Sequence, residues 1–144
     1  MSTITSANAV ITLSIAGLFP TPQQLKGFSA DNVYDMADQQ IVETAMGVDG
    51  VLSGGFVFNP VDQTFVLQAD SASNAMFEAW AAAQQQIKDA YVANGQTTLP
   101  SVGRTYFATK GFLISFPPMP AAGRILQPRR YTIRWQSVRG APKT

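Results

Sequence analysis

A chain of 144 residues with 46% hydrophobic content and a formal net charge of +1 describes one ordinary domain, long enough to bury roughly two-thirds of the surface its unfolded form exposes. It contains no cysteine and no histidine, which excludes disulfides, thiolate nucleophiles, zinc–thiolate and iron–sulfur sites, and the one side chain that titrates near neutrality. Charged residues make up only 13%, well below the usual quarter, so the surface is largely amide, hydroxyl and alanine, which solvates poorly and which assembly can cover.

Residues 1–8 form a polar, uncharged N-terminal arm of the single domain 1–144. Ile11, Leu13 and Ile15 then alternate with Thr12, Ser14 and Ala16, the period of a half-buried strand. The apolar run Ala9–Phe19 is too short to span a bilayer and has no basic residue before it, so it reads as neither membrane anchor nor signal peptide. Thr21–Gln24 punctuates, and Leu25–Ala37 reads as extended. From Gln40 to Ala69 the pattern is a meander, with Asp49-Gly50 as a two-residue turn of the primed type and a second turn at Asn59-Pro60.

The period then changes. Phe77, Trp80, Ile87 and Tyr91 recur at helical spacing, which predicts one amphipathic helix over about residues 74–93 that packs through those four side chains. Ser73 or Asn74 stands where a cap is wanted, and Asn94-Gly95 stops the helix and opens a loop to Gly103. A strand from Arg104 to Phe116, a proline-rich connection and a final strand from Arg129 to Val138 complete the chain. The final strand is two-faced: Tyr131, Ile133 and Trp135 alternate with Arg130, Thr132, Arg134 and Gln136. Strands, one helix, then strands, joined by short turns, point to a mainly β fold. It is an antiparallel β-sandwich or partly open β-barrel with one flanking helix.

Little in the chain can do chemistry. Asp31, Asp35 and Asp38 lack the alternate-residue ligands and central glycine of a calcium loop, so no metal site is expected. No phosphate-cradling glycine loop occurs, and no serine has a histidine to activate it, so neither enzyme activity nor a cofactor is expected. The arginine-rich last strand superficially resembles a nucleic-acid platform, but Arg130 and Arg134 fall on the face opposite the aromatics, which makes them a surface or interface row. Ser53, Gly54 and Gly55 sit in a strand that glycine weakens, and mark either a bulge within the subunit or a place where another backbone approaches closely. Charge is segregated: all nine acids lie between Asp31 and Asp89, and eight of ten bases from Arg104 onward. Such a layout suits two complementary faces of one self-associating protein.

Met46–Phe56 followed by Thr64–Trp80 resembles the tail tube proteins of contractile-tailed bacteriophages, and the element order from about Ala9 to Val138 agrees with them. The fold is also similar to that of the ring protein of type VI secretion. The resemblance implies a structural subunit of a virion tail, assembled in the host cytoplasm, whose strands join those of neighbours into a shared barrel. Stacked hexameric rings would surround a lumen that conducts DNA during ejection without binding it, with sheath, baseplate and terminator proteins as further partners. Opposed charges would meet between subunits, Asp31, Asp35, Glu43 and Asp49 against Arg124, Arg129, Arg130 and Arg134. Glu43, Asp62 and Gln68 would contribute to a polar lumen. A tube terminator or baseplate adapter of the same fold, or a nucleic-acid-binding accessory protein, are the alternatives.

Overall fold

The computed structural model describes residue 4, residues 7–29 and residues 32–142. β1 (Val10–Ile15) buries Ile11, Leu13 and Ile15 on one face and leaves Thr12 and Ser14 on the other, as strand alternation dictates. A turn at Ala16–Leu18 returns the chain into β2 (Phe19–Gln24), so Thr21–Gln24 is strand where the sequence reads as punctuation. Pro20 and Pro22 are tolerated there because β2 is an outermost strand and no further strand needs their missing N–H groups.

The remaining strands are β3 (Tyr34–Met36), β4 (Val42–Met46), β5 (Leu52–Phe56), β6 (Val61–Leu67), β7 (Ala93–Leu99), β8 (Arg104–Ser115) and β9 (Arg129–Pro142). Seven of them form one antiparallel sheet in the order β2-β1-β7-β8-β9-β6-β3, and among the described residues β4 and β5 pair only with each other. The fold is therefore mainly β and antiparallel with one helix, and its sheet does not close. It ends on β2 and β3.

The helix α1 (Asn74–Ile87) covers the apolar face. Phe77 stacks on Tyr131 with ring centroids 4.2 Å apart and 13° between planes, and Phe65 and Trp80 flank it at 6.3 and 6.2 Å. Ile11, Leu13, Ile15, Leu67, Ile133 and Trp135 complete the core around this aromatic ladder. Ser73 stands at the N-cap, as expected, but neither its side chain nor that of Asn74 caps the helix N–H groups. Ser73 Oγ accepts from the Lys26 N–H (2.8 Å). Asn74 donates to the Gln68 and Ala69 carbonyls and accepts from the Tyr131 hydroxyl at 2.9 Å, which ties the helix start to the ends of β6 and β9.

Two of the four residues expected to pack the helix do not serve that role. The helix ends at Ile87, which is 50% exposed, and Tyr91 lies beyond it, half-buried against the core. Lys88 takes the left-handed conformation (φ 58°), its N–H bonds the Gln84 carbonyl at 2.9 Å, and Gln84 Oε1 accepts from the Tyr91 N–H at 3.1 Å. The helix stops because Ala93–Leu99 is wanted as a strand, β7, between β1 and β8. Its loop-like composition follows from crowding: a Cβ at Gly95 would lie 2.9 Å from Leu13 and 3.1 Å from the Trp135 ring. At Gly111, on β8, a Cβ would collide with the same indole.

Burial pushes the Tyr131 hydroxyl up to about 12 from an ordinary value of 10.0. A raised value means the neutral hydroxyl is favoured in the fold, so its contribution is fully present below about pH 10 and is lost as pH rises toward 12. An absorbance titration of tyrosinate is expected to show one late phase, absent from Tyr131→Phe, that coincides with unfolding. A Tyr131 that ionises near the ordinary value of 10.0 while the protein stays folded would contradict its placement.

Candidate assembly interface

β3 and β6 pair from Tyr34↔Phe65 to Met36↔Gln63, and the ribbon they begin continues past the edge of the sheet. At the neck, where Pro60 supplies no N–H, side-chain amides take over the ladder: Gln39 Nε2 donates to the Asn59 carbonyl (2.7 Å) and Asn59 Nδ2 to the Gln40 carbonyl (3.0 Å). Beyond the neck, β4 and β5 form a hairpin arm in register from Val42↔Phe56 to Met46↔Leu52. Its turn is not the expected two-residue primed type. Gly47 N–H bonds the Val51 carbonyl at 2.9 Å around a loop of Val48, Asp49 and Gly50, and Gly50 adopts φ +84°, which glycine takes without strain.

All ten strand residues of the arm are exposed. One face carries Val42, Met46, Leu52 and Phe56, with Phe58 set edge-on to Phe56 at a centroid distance of 5.0 Å. Gly54 shares that face, since a Cβ there would sit 3.2 Å from Val42. Glu43, Ala45, Ser53 and Gly55 form the opposite face, small and open. The glycines thus sit in a regularly paired stretch, not in a bulge, and nothing in the described residues covers them. An isolated two-stranded hairpin is at best marginally stable in water, so an apolar one projecting from a domain needs a covering surface.

The nominated charges separate into three groups. Arg130 reaches Asp35 at 3.5 Å, and Arg134 grips Asp62 with two hydrogen bonds of 2.8 and 3.1 Å; both pairs lie within the subunit, on the sheet face away from α1. Those bonds hold the Asp62 carboxyl below its ordinary value and raise the Arg134 guanidinium, and both pairs are exposed enough that they orient side chains more than they stabilise. Arg129 is not available as a surface residue of the subunit: it is 3% exposed, bonded to Glu78 Oε1 and the Pro117 carbonyl, both at 2.7 Å, and lies over the Tyr131 ring. Glu43, Asp49 and Arg124 are exposed and, among the described residues, have no intrachain ion pair. Asp31 lies outside the described residues, as does most of the N-terminal arm.

The three lumen nominees are not brought together. Glu43 lies on the arm, Asp62 is engaged by Arg134 on the sheet, and Gln68 follows the other end of β6, beside the helix start. Sequence reasoning missed the Arg129–Glu78 tie, for which residues 51 positions apart carry no local signal. In sequence the apolar residues of the arm read as meander strand, and the segment around the Asp49-Gly50 turn, with the N-terminal arm and the 116–128 loop, as a candidate for reaching a neighbour. The glycines beside them were the available clue.

A family model described as tail fiber protein gp32 matches residues 2–139. No curated protein matches the chain significantly. Among solved structures, a chain of the anti-feeding prophage tube-terminating cap is similar at TM-score 0.64 and 14% identity, covering 99% of this chain and 93% of that one. A chain of the sheath/tube terminator of an extracellular contractile injection system, PVC in its extended state, aligns at TM-score 0.62 and 10% identity, with 98% of each covered. A third similarity is to a chain of the six-fold symmetrised anti-feeding prophage baseplate, at TM-score 0.60 and 13% identity over 99% and 98%. The fold is a contractile-tail tube-like fold.

Proposed function

Because the chain belongs to the tail fiber protein gp32 family, we propose that it is a structural subunit of a contractile tail, which assembles with copies of itself into rings around a central channel. The observation that carries this is the arm, an apolar hairpin that leaves its own subunit and finds no cover there. An open sheet supports the same reading: β2 is blunted by prolines, while β3 runs straight into the arm, so sheet continuation across copies would use the β3 and arm side. Stacked rings need two different complementary surfaces, and the charge segregation along the chain supplies two signs.

The similar solved chains include a tube-terminating cap, a sheath/tube terminator and a six-fold baseplate. The baseplate, six-fold symmetrised, favours six-fold rings, and the three together support a terminator or baseplate adapter as much as a repeating tube subunit. DNA passage, the sheath as neighbour and a virion location belong to this proposal. Negative-stain microscopy of concentrated protein is expected to show rings. Long tubes of uniform bore would select the repeating subunit and single rings the terminator or adapter. Isolated particles at every concentration would defeat all three.

A further inference from the structure

We propose that one copy's arm docks on the 116–128 loop of the next copy, with Arg124 facing Asp49 at the arm's turn and Glu43, nearer the base, adding to the arm's negative charge; this rests on the assembly reading above and specifies its contact. The two segments lie at opposite ends of the same strands. β6 and β9 pair from Val61↔Trp135 to Leu67↔Arg129. The arm leaves the sheet at the Val61 end, whereas residues 116–128 lead into β9 at the Arg129 end, about 20 Å away along the strands.

The loop is itself folded for presentation. Ala122 bridges Leu126, the Gly123 N–H bonds the Ile125 carbonyl at 3.0 Å and the Gln127 N–H bonds the Ala121 carbonyl at 2.8 Å, so Arg124 stands at the tip of a small hairpin. Met119, Ile125 and Leu126 are exposed around it. Residues 116–128 carry one arginine and no acid, while residues 38–58 carry Asp38, Glu43 and Asp49 and no base. Each pole thus pairs an uncovered apolar surface with a charge of sign opposite to the other pole. Of the four nominated arginines, Arg129, Arg130 and Arg134 have carboxylate partners in their own subunit, and among the described residues Arg124 has none. Two different poles on one chain make a head-to-tail contact, which propagates instead of closing as a pair.

Charge reversal with complementation tests it on the full chain. Glu43→Arg with Asp49→Arg in one protein, and Arg124→Glu in another, are each expected to raise the concentration needed for assembly by about tenfold or more. Mixing the two proteins 1:1 is expected to restore assembly, since each reversed pole then meets a pole it complements. Below the assembly concentration, melting curves should stay close to wild type, because all three side chains are exposed and the one intrachain bond lost is that from the Val51 N–H to Asp49 Oδ1 (3.2 Å) in the arm's turn. If wild type assembles and Arg124→Glu assembles equally well, or if mixing restores nothing, the pole-to-pole contact is overturned while the assembly reading stands. If wild type itself remains single at every concentration, the assembly reading falls and this contact with it.

Discussion

Exchanging Leu52 and Phe56 together for aspartate is expected to abolish assembly while changing the stability of the isolated subunit by no more than about 0.5 kcal/mol per site, the usual effect at exposed positions. Leu52 is 60% and Phe56 66% exposed, and both belong to the apolar face of the arm, whose base meets residues 136–139 of β9 across a groove that Phe56 and Phe58 line. Covering two such side chains in an interface contributes about 1.5–3 kcal/mol each. Because each is already about one-third covered, losing that contribution alone raises the assembly concentration by about tenfold to a few hundredfold, since each 1.4 kcal/mol is tenfold, and burying carboxylates in their place adds to the loss. Sedimentation velocity with urea denaturation on the same samples checks both halves of the result. A double variant that assembles normally would remove the arm from the interface. One that unfolds would show that the arm packs on its own subunit.

Phe77→Ala is expected to act in the opposite way, costing about 3–5 kcal/mol of subunit stability, a large share of the roughly 5–15 kcal/mol typical of a domain. The ring is fully buried and touches three others, stacked on Tyr131 and flanked by Phe65 and Trp80, so its removal leaves a cavity between the helix and the sheet. Tyr131 is held from its other end by Asn74, which limits how far the wall can collapse into that space. Ile87→Ala serves as the control and is expected to cost less than about 1 kcal/mol, because Ile87 is half exposed at the helix end. Urea midpoints at constant slope give both values. Equal losses at Phe77 and Ile87 would mean that the last turn of the helix is docked in solution.

The pairings of charge show where reading along the chain stops. Acidic and basic segments are visible in the sequence, and pairing them between subunits is the economical guess for an assembling protein. Yet Asp62 and Arg134 are 72 residues apart and become neighbours only because β6 and β9 pair in one register. The same register turns Arg129 inward onto Glu78 and leaves Arg130 and Arg134 outward. A slip of one residue would reverse all of this.

Local patterning by itself determined much of the secondary structure: the alternation of β1 and of Tyr131, Ile133 and Trp135 in β9, the switch to helical spacing at Phe77 and Trp80, and the β-rich antiparallel class. These depend on neighbours in the chain, whose spacing is written in the sequence. Tertiary structure alone decided that Ala93–Leu99 is a central strand and that the apolar residues of Val42–Phe56 face solvent. The physical reason is the same for both. A glycine is demanded at position 95 by Leu13 and Trp135 arriving from distant strands, and an apolar strand is core only if another layer comes to cover it. For the arm no layer among the described residues does.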